Sequence, residues 1–203
     1  MSIIRLKNNA LDNLTSFEGS ASLGDMVLVS SATASSSASI EFSLGSYKEY
    51  KFFFVNMHPQ NNAVYFEFNL STDNGSNYNV VKTTTSFEAY HNESDAATNL
   101  RYATANDLAQ STSNQRLTEL IPSLSGENDM CASGYLHLFN PSSSIYVKHF
   151  LSSVQANIDG SSIYSWISHN AGYANTTSAL TNIKFQMSSG NIDDGKILMF
   201  GLN

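Results

Sequence analysis

Apolar residues occupy every second position in a stretch near the middle of the chain, residues 64–70. The apolar positions are Val64, Phe66, Phe68 and Leu70. Successive side chains of a β-strand point to opposite faces of a sheet, so this period of two predicts a strand with one buried face. The intervening Glu67 and Asn69 are expected to face solvent.

The preceding stretch, Tyr47–Met57, carries large apolar side chains at both odd and even positions. This pattern predicts a central strand that is covered on both faces. Pro59 lacks a backbone N–H group, and we expect the strand to end before it. Further strands are predicted in short apolar segments between turn residues, namely 26–31, 39–43, 84–92, 117–121, 135–140, 144–155, 162–168, 179–188 and 196–202.

The residues Asn74-Gly75 follow the alternating strand after three polar residues. Asparagine and glycine tolerate the positive φ angles of a type I′ turn, and this pair is a strong signal for a two-residue hairpin. We therefore predict that the chain reverses here and that Tyr78–Val81 begins the return strand. The segment 96–110 is compatible with either a helix or an irregular excursion.

About ten short strands with frequent turn signals are typical of a β-sandwich. The sequence predicts an all-β fold: an antiparallel β-sandwich, jelly-roll-like, in one domain over residues 21–203. Residues 1–20 mix isolated apolar residues with asparagine and lysine, and they are interpreted as an extended N-terminal arm.

The composition limits the classes of partner. Only 13% of the residues are charged and the net charge is −7, and the few lysines and arginines form no cluster that would neutralise phosphates, which argues against nucleic-acid binding. No apolar run reaches the ~20 residues that span a bilayer, and the N-terminus lacks the pattern of a signal peptide. A single cysteine, Cys131, allows no disulfide within the chain.

Metal-ligand patterns are weak. Asp73, Gly75 and Asn77 fill the early positions of a calcium loop poorly, and the twelfth position holds Thr84 where an EF-hand needs glutamate. Asp193 and Asp194 form another possible surface calcium spot. His137 and His149 lie on opposite arms of a predicted hairpin and could face each other. We predict no metal site and no cofactor.

Catalytic patterns are equally weak. The residues around Cys131 match no nucleophile motif, and a buried or half-buried thiol is the simpler interpretation. Glu67 lies beside Tyr65 on the predicted solvent face of its strand, where a catalytic carboxylate would need a second acid nearby. We predict no catalytic residues. An aromatic platform for stacking against sugar rings is an alternative, formed by Tyr164, Trp166 and Tyr173.

Three blocks resemble segments of bacteriophage virion proteins, chiefly tail and tail-fibre modules. The first is FFFVNMHPQNNAVYFEFNLSTDNGSNYN, with an Asn-containing strand end at Asn56, a proline loop at Pro59 and the turn Ser71–Tyr78. The second is YLHLFNPSSSIYVKH, a strand, Asn-Pro, strand step. The third is ALTNIKFQMSSGNIDDGKILMFGL, which ends in Gly-Leu. Together they cover about a third of the chain.

The resemblance implies a non-enzymatic virion structural protein that is made in the host cytoplasm and forms homo-oligomers, with a trimer expected by analogy. The chain has no long stalk, so a capsid decoration (cement) or head-fibre protein fits better than a long fibre. The expected partners are the major capsid protein or other virion proteins. The expected capsid-anchoring residues lie in the arm: Ile3, Ile4, Leu6, Leu11, Leu14 and Phe17. The alternative is a small tail or tail-fibre component with a receptor- or carbohydrate-binding sandwich.

Overall fold

The computed structural model describes residues 26–121, 130–158 and 162–203. The predicted arm, residues 1–20, and the six candidate anchoring residues within it lie outside the described residues. The strands are β1 (Val27–Thr33), β2 (Ile40–Ser43), β3 (Glu49–Pro59), β4 (Phe66–Ser71), β5 (Lys82–Asn92), β6 (Thr98–Tyr102), β7 (Gln115–Arg116), β8 (Ala132–Phe139), β9 (Lys148–Ile158), β10 (Tyr164–Ala174), β11 (Asn182–Met187) and β12 (Ile192–Leu202).

The strands form two antiparallel sheets. The large sheet has eight strands in the order β1-β12-β3-β8-β9-β10-β5-β6, and the small sheet has four in the order β2-β11-β4-β7. The described residues contain no helix. The prediction of an all-β antiparallel sandwich is confirmed, and the predicted hairpin of residues 135–155 corresponds to the paired strands β8 and β9.

The two sheets pack together through aromatic side chains. Phe185 of the small sheet is fully buried, and its ring lies 5.2 Å from that of Phe54 and 5.3 Å from that of Phe52, both on β3 of the large sheet. Aliphatic residues of both sheets complete one contiguous core. Burial of this apolar area is the main favourable contribution to folding.

The turn after β4 has the predicted backbone but not the predicted role. Asn74 and Gly75 have φ angles of 59° and 81°, and side-chain and backbone hydrogen bonds from Asn77, together with one from Ser71, lower the pKa of Asp73 to about 2. The turn nevertheless joins β4 of the small sheet to β5 of the large sheet. The predicted hairpin, with a return strand at residues 78–81, is therefore wrong. A turn sequence determines the backbone conformation of a few residues. Which strands pair with each other depends on side-chain packing across the whole sandwich.

Two further expectations for this region are corrected. β4 is buried at all six positions, including Glu67 and Asn69, so it is not a half-buried strand. Asn69 Nδ2 donates to the carbonyl of Thr112 and to Asn114 Oδ1, which shows that the segment after β6 covers this strand. β3 also continues through Pro59, which pairs with Ile192 at the end of β12.

The segment 96–121 contains little regular structure. It holds the short edge strand β6 and the two-residue strand β7, and no helix forms over residues 96–110. The strand predicted at residues 117–121 is reduced to a backbone hydrogen bond from Leu117 N to Phe66 O and an isolated two-bond bridge between Val64 and Ile121. These irregular residues fold over the end of the small sheet and line a cleft there.

Candidate functional site

The large sheet exposes one face, termed here the outer face. It comprises the odd-numbered residues of β8, β9, β10 and β5 and the even-numbered residues of β6, which point away from the small sheet. None of these positions is aspartate, glutamate, lysine or arginine. The net charge of −7 is therefore carried by residues elsewhere in the chain. Charged residues are depleted in the centres of protein interfaces.

A row of rings crosses the outer face. Each of five strands contributes one residue to this row, and each residue is in register with its neighbours. The residues are Tyr102 on β6, Phe87 on β5, His169 on β10, Ser153 on β9 and Tyr135 on β8, and all but Ser153 carry a ring. The rings of Phe87 and His169 stack with centroids 4.8 Å apart. Phe87 is 49% exposed and Tyr102 is 53% exposed. Aromatic residues are enriched in interfaces, so this row is the chemical centre of the face.

The row continues onto β3, where Phe53 lies opposite Tyr135. Lys51 Nζ lies 4.6 Å from the centroid of the Tyr135 ring and 5.3 Å from that of Phe53. Apolar residues flank the row, and Leu100 and Leu151 are 70% and 48% exposed. With a rise of ~3.3 Å per residue and ~4.8 Å between strands, the five strands present roughly 600–800 Å². A standard interface buries about 800 Å² per partner.

The structure does not bring the three predicted platform aromatics together. Tyr164 and Trp166 lie on the inner face of β10 and pack against the core, whereas Tyr173 lies on the outer face, with its ring 6.2 Å from that of His149. Side chains an odd number of residues apart on one strand point to opposite faces. A single platform of these three rings is therefore wrong, while sugar contact by any one of them stays a prediction.

Trp166 lies in an aromatic and charged corner of the inner face. Its ring stacks on Tyr90 at 4.2 Å, and the Arg101 guanidinium lies 5.1 Å from its centroid. Arg101 Nη2 also lies 3.1 Å from Glu88 Oε2 and 3.6 Å from Glu119 Oε2. Burial raises the pKa of Glu88, the nearby Glu119 carboxylate raises it further, and Arg101 opposes both effects. Glu88 is fully buried, so its carboxylate holds Arg101 in place.

The metal candidates remain separate from one another. Asp193 and Asp194 line a cavity of about 400 Å³ with His58 and Cys131, and His58 Nδ1 lies 3.9 Å from Asp193 Oδ2. In the part of the chain that the structure describes, no group of three or more His, Cys, Asp or Glu side chains is placed to hold a metal ion.

The two histidines of the predicted hairpin do not face each other. His137 is paired with Leu151 and its Nε2 lies 2.7 Å from Glu49 Oε2. His149 is paired with Tyr173 on β10. The possibility that the two side chains face each other is therefore excluded, because the register offsets them along the strands.

One half of the sandwich interior is polar. Lys82, Ser86 and Glu88 project inward from β5, and Ser168 and Asn170 project inward from β10. Buried polar groups are stable only when hydrogen-bonded. Lys82 Nζ accordingly donates to Asn69 Oδ1 at 2.6 Å and to the carbonyl of Val80 at 2.9 Å, while burial lowers the pKa of Lys82 to about 7.

Comparisons with protein-family models, with curated protein sequences and with solved structures give no match to this chain. Among the described residues, no helix has the length and apolar character needed to cross a membrane.

Sequence reasoning missed both the outer face and the ion pairs of Arg101 and Arg116 with buried glutamates. The signal for the face was present, since the alternate positions of the segments that form β5, β9 and β10 contain no charged residue. The roles of Arg101 and Arg116 had no local signal, because their partners are distant along the chain. Arg101 contacts Glu88 and Arg116 lies 4.0 Å from Glu67.

Proposed function

We propose that this protein is a non-enzymatic structural protein of a bacteriophage virion, a capsid decoration or head-fibre protein, which associates with its own copies through the outer face. The observation that carries the self-association is the uncharged outer face with its row of exposed rings. The virion assignment is supported by the three sequence blocks that resemble phage tail and fibre modules.

Charge favours a second copy as the occupant of this face. Two identical chains each carry a net charge of −7, so they repel wherever their charged surfaces meet. The outer face contributes no charged side chain to that repulsion. It is also close to the size of one side of a standard interface. A homo-oligomer, with a trimer expected by analogy, would in turn add its binding free energy to the stability of a shell that it bridges.

Replacing Phe87 with aspartate is expected to weaken self-association at least about 30-fold and so to lower the mass of the particle at a protein concentration near the wild-type dissociation constant. The substitution would place a carboxylate in the ring row and face it with its own copy, and a central aromatic contact typically contributes ~2 kcal/mol or more, or roughly 30-fold in affinity. Sedimentation velocity and light scattering of the full chain measure the mass.

The matched control is Ile145→Asp. Ile145 is 70% exposed and lies in the loop between β8 and β9, off the outer face. It should leave the mass unchanged, and both variants should retain the wild-type melting temperature within a few degrees because both sites are exposed. A monomeric wild-type protein at ~100 μM, or a Phe87→Asp protein of wild-type mass, would refute the proposed interface.

Deleting residues 2–17 is expected to abolish binding to purified capsids that lack the protein, because the arm is proposed to supply the capsid contact. Co-sedimentation with the capsids measures binding, and antibodies to the purified protein should label intact virions. The control replaces only polar arm residues, Asn8, Asn9 and Asn13, with serine. Undiminished capsid binding by the deletion variant would refute the proposal that the arm is the anchor. Unlabelled virions would refute the virion assignment, but they would not affect the proposal of self-association.

A further inference from the structure

A polar cleft lies apart from the outer face, at the end of the small sheet. It has a volume of about 580 Å³ and is bounded by β4, β7 and the segment between β6 and β7. Its wall is made mainly of amide, carboxylate, hydroxyl and guanidinium groups. The residues that matter for its chemistry are Glu67, Asn69, Tyr78, Asn106, Asn114 and Arg116.

The Glu67 carboxylate is held by a chain of hydrogen bonds that starts at a buried lysine. Lys82 Nζ donates to Asn69 Oδ1 at 2.6 Å, Asn69 Nδ2 donates to Asn114 Oδ1 at 2.9 Å, and Asn114 Nδ2 donates to Glu67 Oε2 at 3.1 Å. The protonated Lys82 amine can only donate, and the Leu70 backbone N–H also donates to Asn69 Oδ1 at 2.9 Å, so the oxygen end of Asn69 is the acceptor. The chain therefore orients the Asn114 donor towards Glu67 before any ligand arrives.

The Arg116 guanidinium is fixed in a similar way. Arg116 Nη1 donates to the carbonyl of Ala105 at 3.0 Å and to Asn106 Oδ1 at 3.2 Å. Asn106 Nδ2 in turn donates to the buried Glu88 carboxylate at 2.7 Å. The guanidinium carbon lies 3.7 Å from the centroid of the Tyr65 ring, a cation–π arrangement that restrains the plane of the group.

These restraints leave the second oxygen of the Glu67 carboxylate beside the Arg116 guanidinium in the cleft. Glu67 is 8% exposed and lines the cleft, and its Oε1 lies 4.0 Å from Arg116 Nε. Burial raises the pKa of Glu67, with Asn114 and Arg116 opposing that rise. A carboxylate oxygen that lines a cleft beside a guanidinium can accept a hydrogen bond from a ligand hydroxyl while the guanidinium donates to a neighbouring hydroxyl.

The charges restrict the class of ligand. An anion would meet the Glu67 carboxylate, and a cation would meet the Arg116 guanidinium. A neutral ligand with adjacent hydroxyl groups suits both, because each hydroxyl can donate to Glu67 Oε1 and accept from Arg116. Saccharides present such neighbouring hydroxyls, and amide groups of Asn106 and Asn114 lie on the same wall to bind others.

We propose that this cleft binds a neutral saccharide, with Glu67 accepting from one hydroxyl and Arg116 donating to its neighbour. This activity goes beyond the proposed assembly function and uses none of the outer-face residues. The proposed glycan site is formed by β4, β7 and the segment 103–114.

The test is a titration of the isotope-labelled full chain with methyl glycosides of glucose, galactose, mannose and N-acetylglucosamine, followed by two-dimensional amide NMR. We expect at least one glycoside to bind with a dissociation constant in the millimolar range and to shift amides of the cleft. Sodium acetate serves as an anionic probe and should not shift them.

Glu67→Gln and Arg116→Lys should each weaken that binding at least tenfold, since each replaces one of the paired groups while keeping similar size. Glu93→Gln, an exposed glutamate outside the cleft, is the matched control. Thermal melting checks that each variant is folded, and only folded variants are scored. The proposal fails if no glycoside shifts the cleft amides, if acetate alone does, or if Glu67→Gln binds as the wild type does.

Discussion

Replacing Phe185 with alanine is expected to lower the free energy of unfolding by about 3–5 kcal/mol. Phe185 is fully buried on β11. Its ring has centroid distances of 5.2 to 6.4 Å to five other rings, those of Phe42, Phe52, Phe54, Phe66 and Phe68. Removing it leaves a cavity between the two sheets that the surrounding rings can fill only in part. Equilibrium unfolding in urea measures the loss.

Two control substitutions test whether the effect depends on the position of the Phe185 ring between the two sheets. Phe185→Leu retains most of the apolar volume and should cost less than about 1.5 kcal/mol. Phe200→Ala removes a ring of the same size from β12, but that ring lies on the outward side of the large sheet and is only half-buried. It should cost no more than about 2 kcal/mol. If Phe185→Ala and Phe200→Ala lowered the free energy of unfolding equally, the cluster of rings around Phe185 would not be the main source of stability.

The interior has two chemically distinct halves, and the proposed functions follow that division. The aromatic half around Phe185 holds the sheets together, while the half beside β5 and β10 holds buried hydrogen-bonded charges. Lys82 and Glu88 each support a side chain at the cleft, through Asn69 and Asn114 in one case and through Asn106 in the other. Buried polar networks cost stability unless they are fully satisfied. Their presence behind a cleft is therefore better explained by positioning of the cleft than by stability.

Strands could be predicted from the sequence where one face is buried, because the period of two reports burial directly. β6 could not, since all five of its residues are exposed and no alternation marks them. The pairing of strands could not be predicted from the sequence either. Asn74-Gly75 has the backbone of a hairpin turn, but β4 pairs with β11 and β7, and β5 pairs with β10 and β6. A local signal cannot indicate which sheet receives the next strand.

The candidate sites also divide into features that a local pattern predicts and features that depend on residues distant along the chain. Tyr173 and Trp166 lie an odd number of residues apart on β10, so their placement on opposite faces was predictable from the strand alone. The burial of Glu67 was not, because its cover comes from Asn114 and Arg116, which are distant along the chain. Glu67 was expected to face solvent, but contacts with these distant residues bury it in the wall of the cleft.

Raising the pH from 7.5 to 9.5 is expected to stabilise the wild-type protein relative to Lys82→Met. Burial lowers the pKa of Lys82 to about 7 in the folded chain, whereas an unfolded lysine titrates near ~10.4. Between these values the unfolded state binds the extra proton, so the free energy of unfolding rises with pH by up to about 1.4 kcal/mol per pH unit. Below pH ~7 both states are protonated and the dependence disappears.

Urea unfolding at several pH values measures the difference between the two proteins, and other titrating groups cancel because both chains share them. The difference should grow by about 2–3 kcal/mol over these two pH units. Lys196→Met, at an exposed position of β12, is the control and should follow the wild type. Parallel curves for wild type and Lys82→Met would mean that Lys82 titrates alike in the folded and unfolded chains. Burial would then not lower the pKa of Lys82, and the hydrogen-bond chain to Glu67 would start at a fully protonated ammonium at neutral pH.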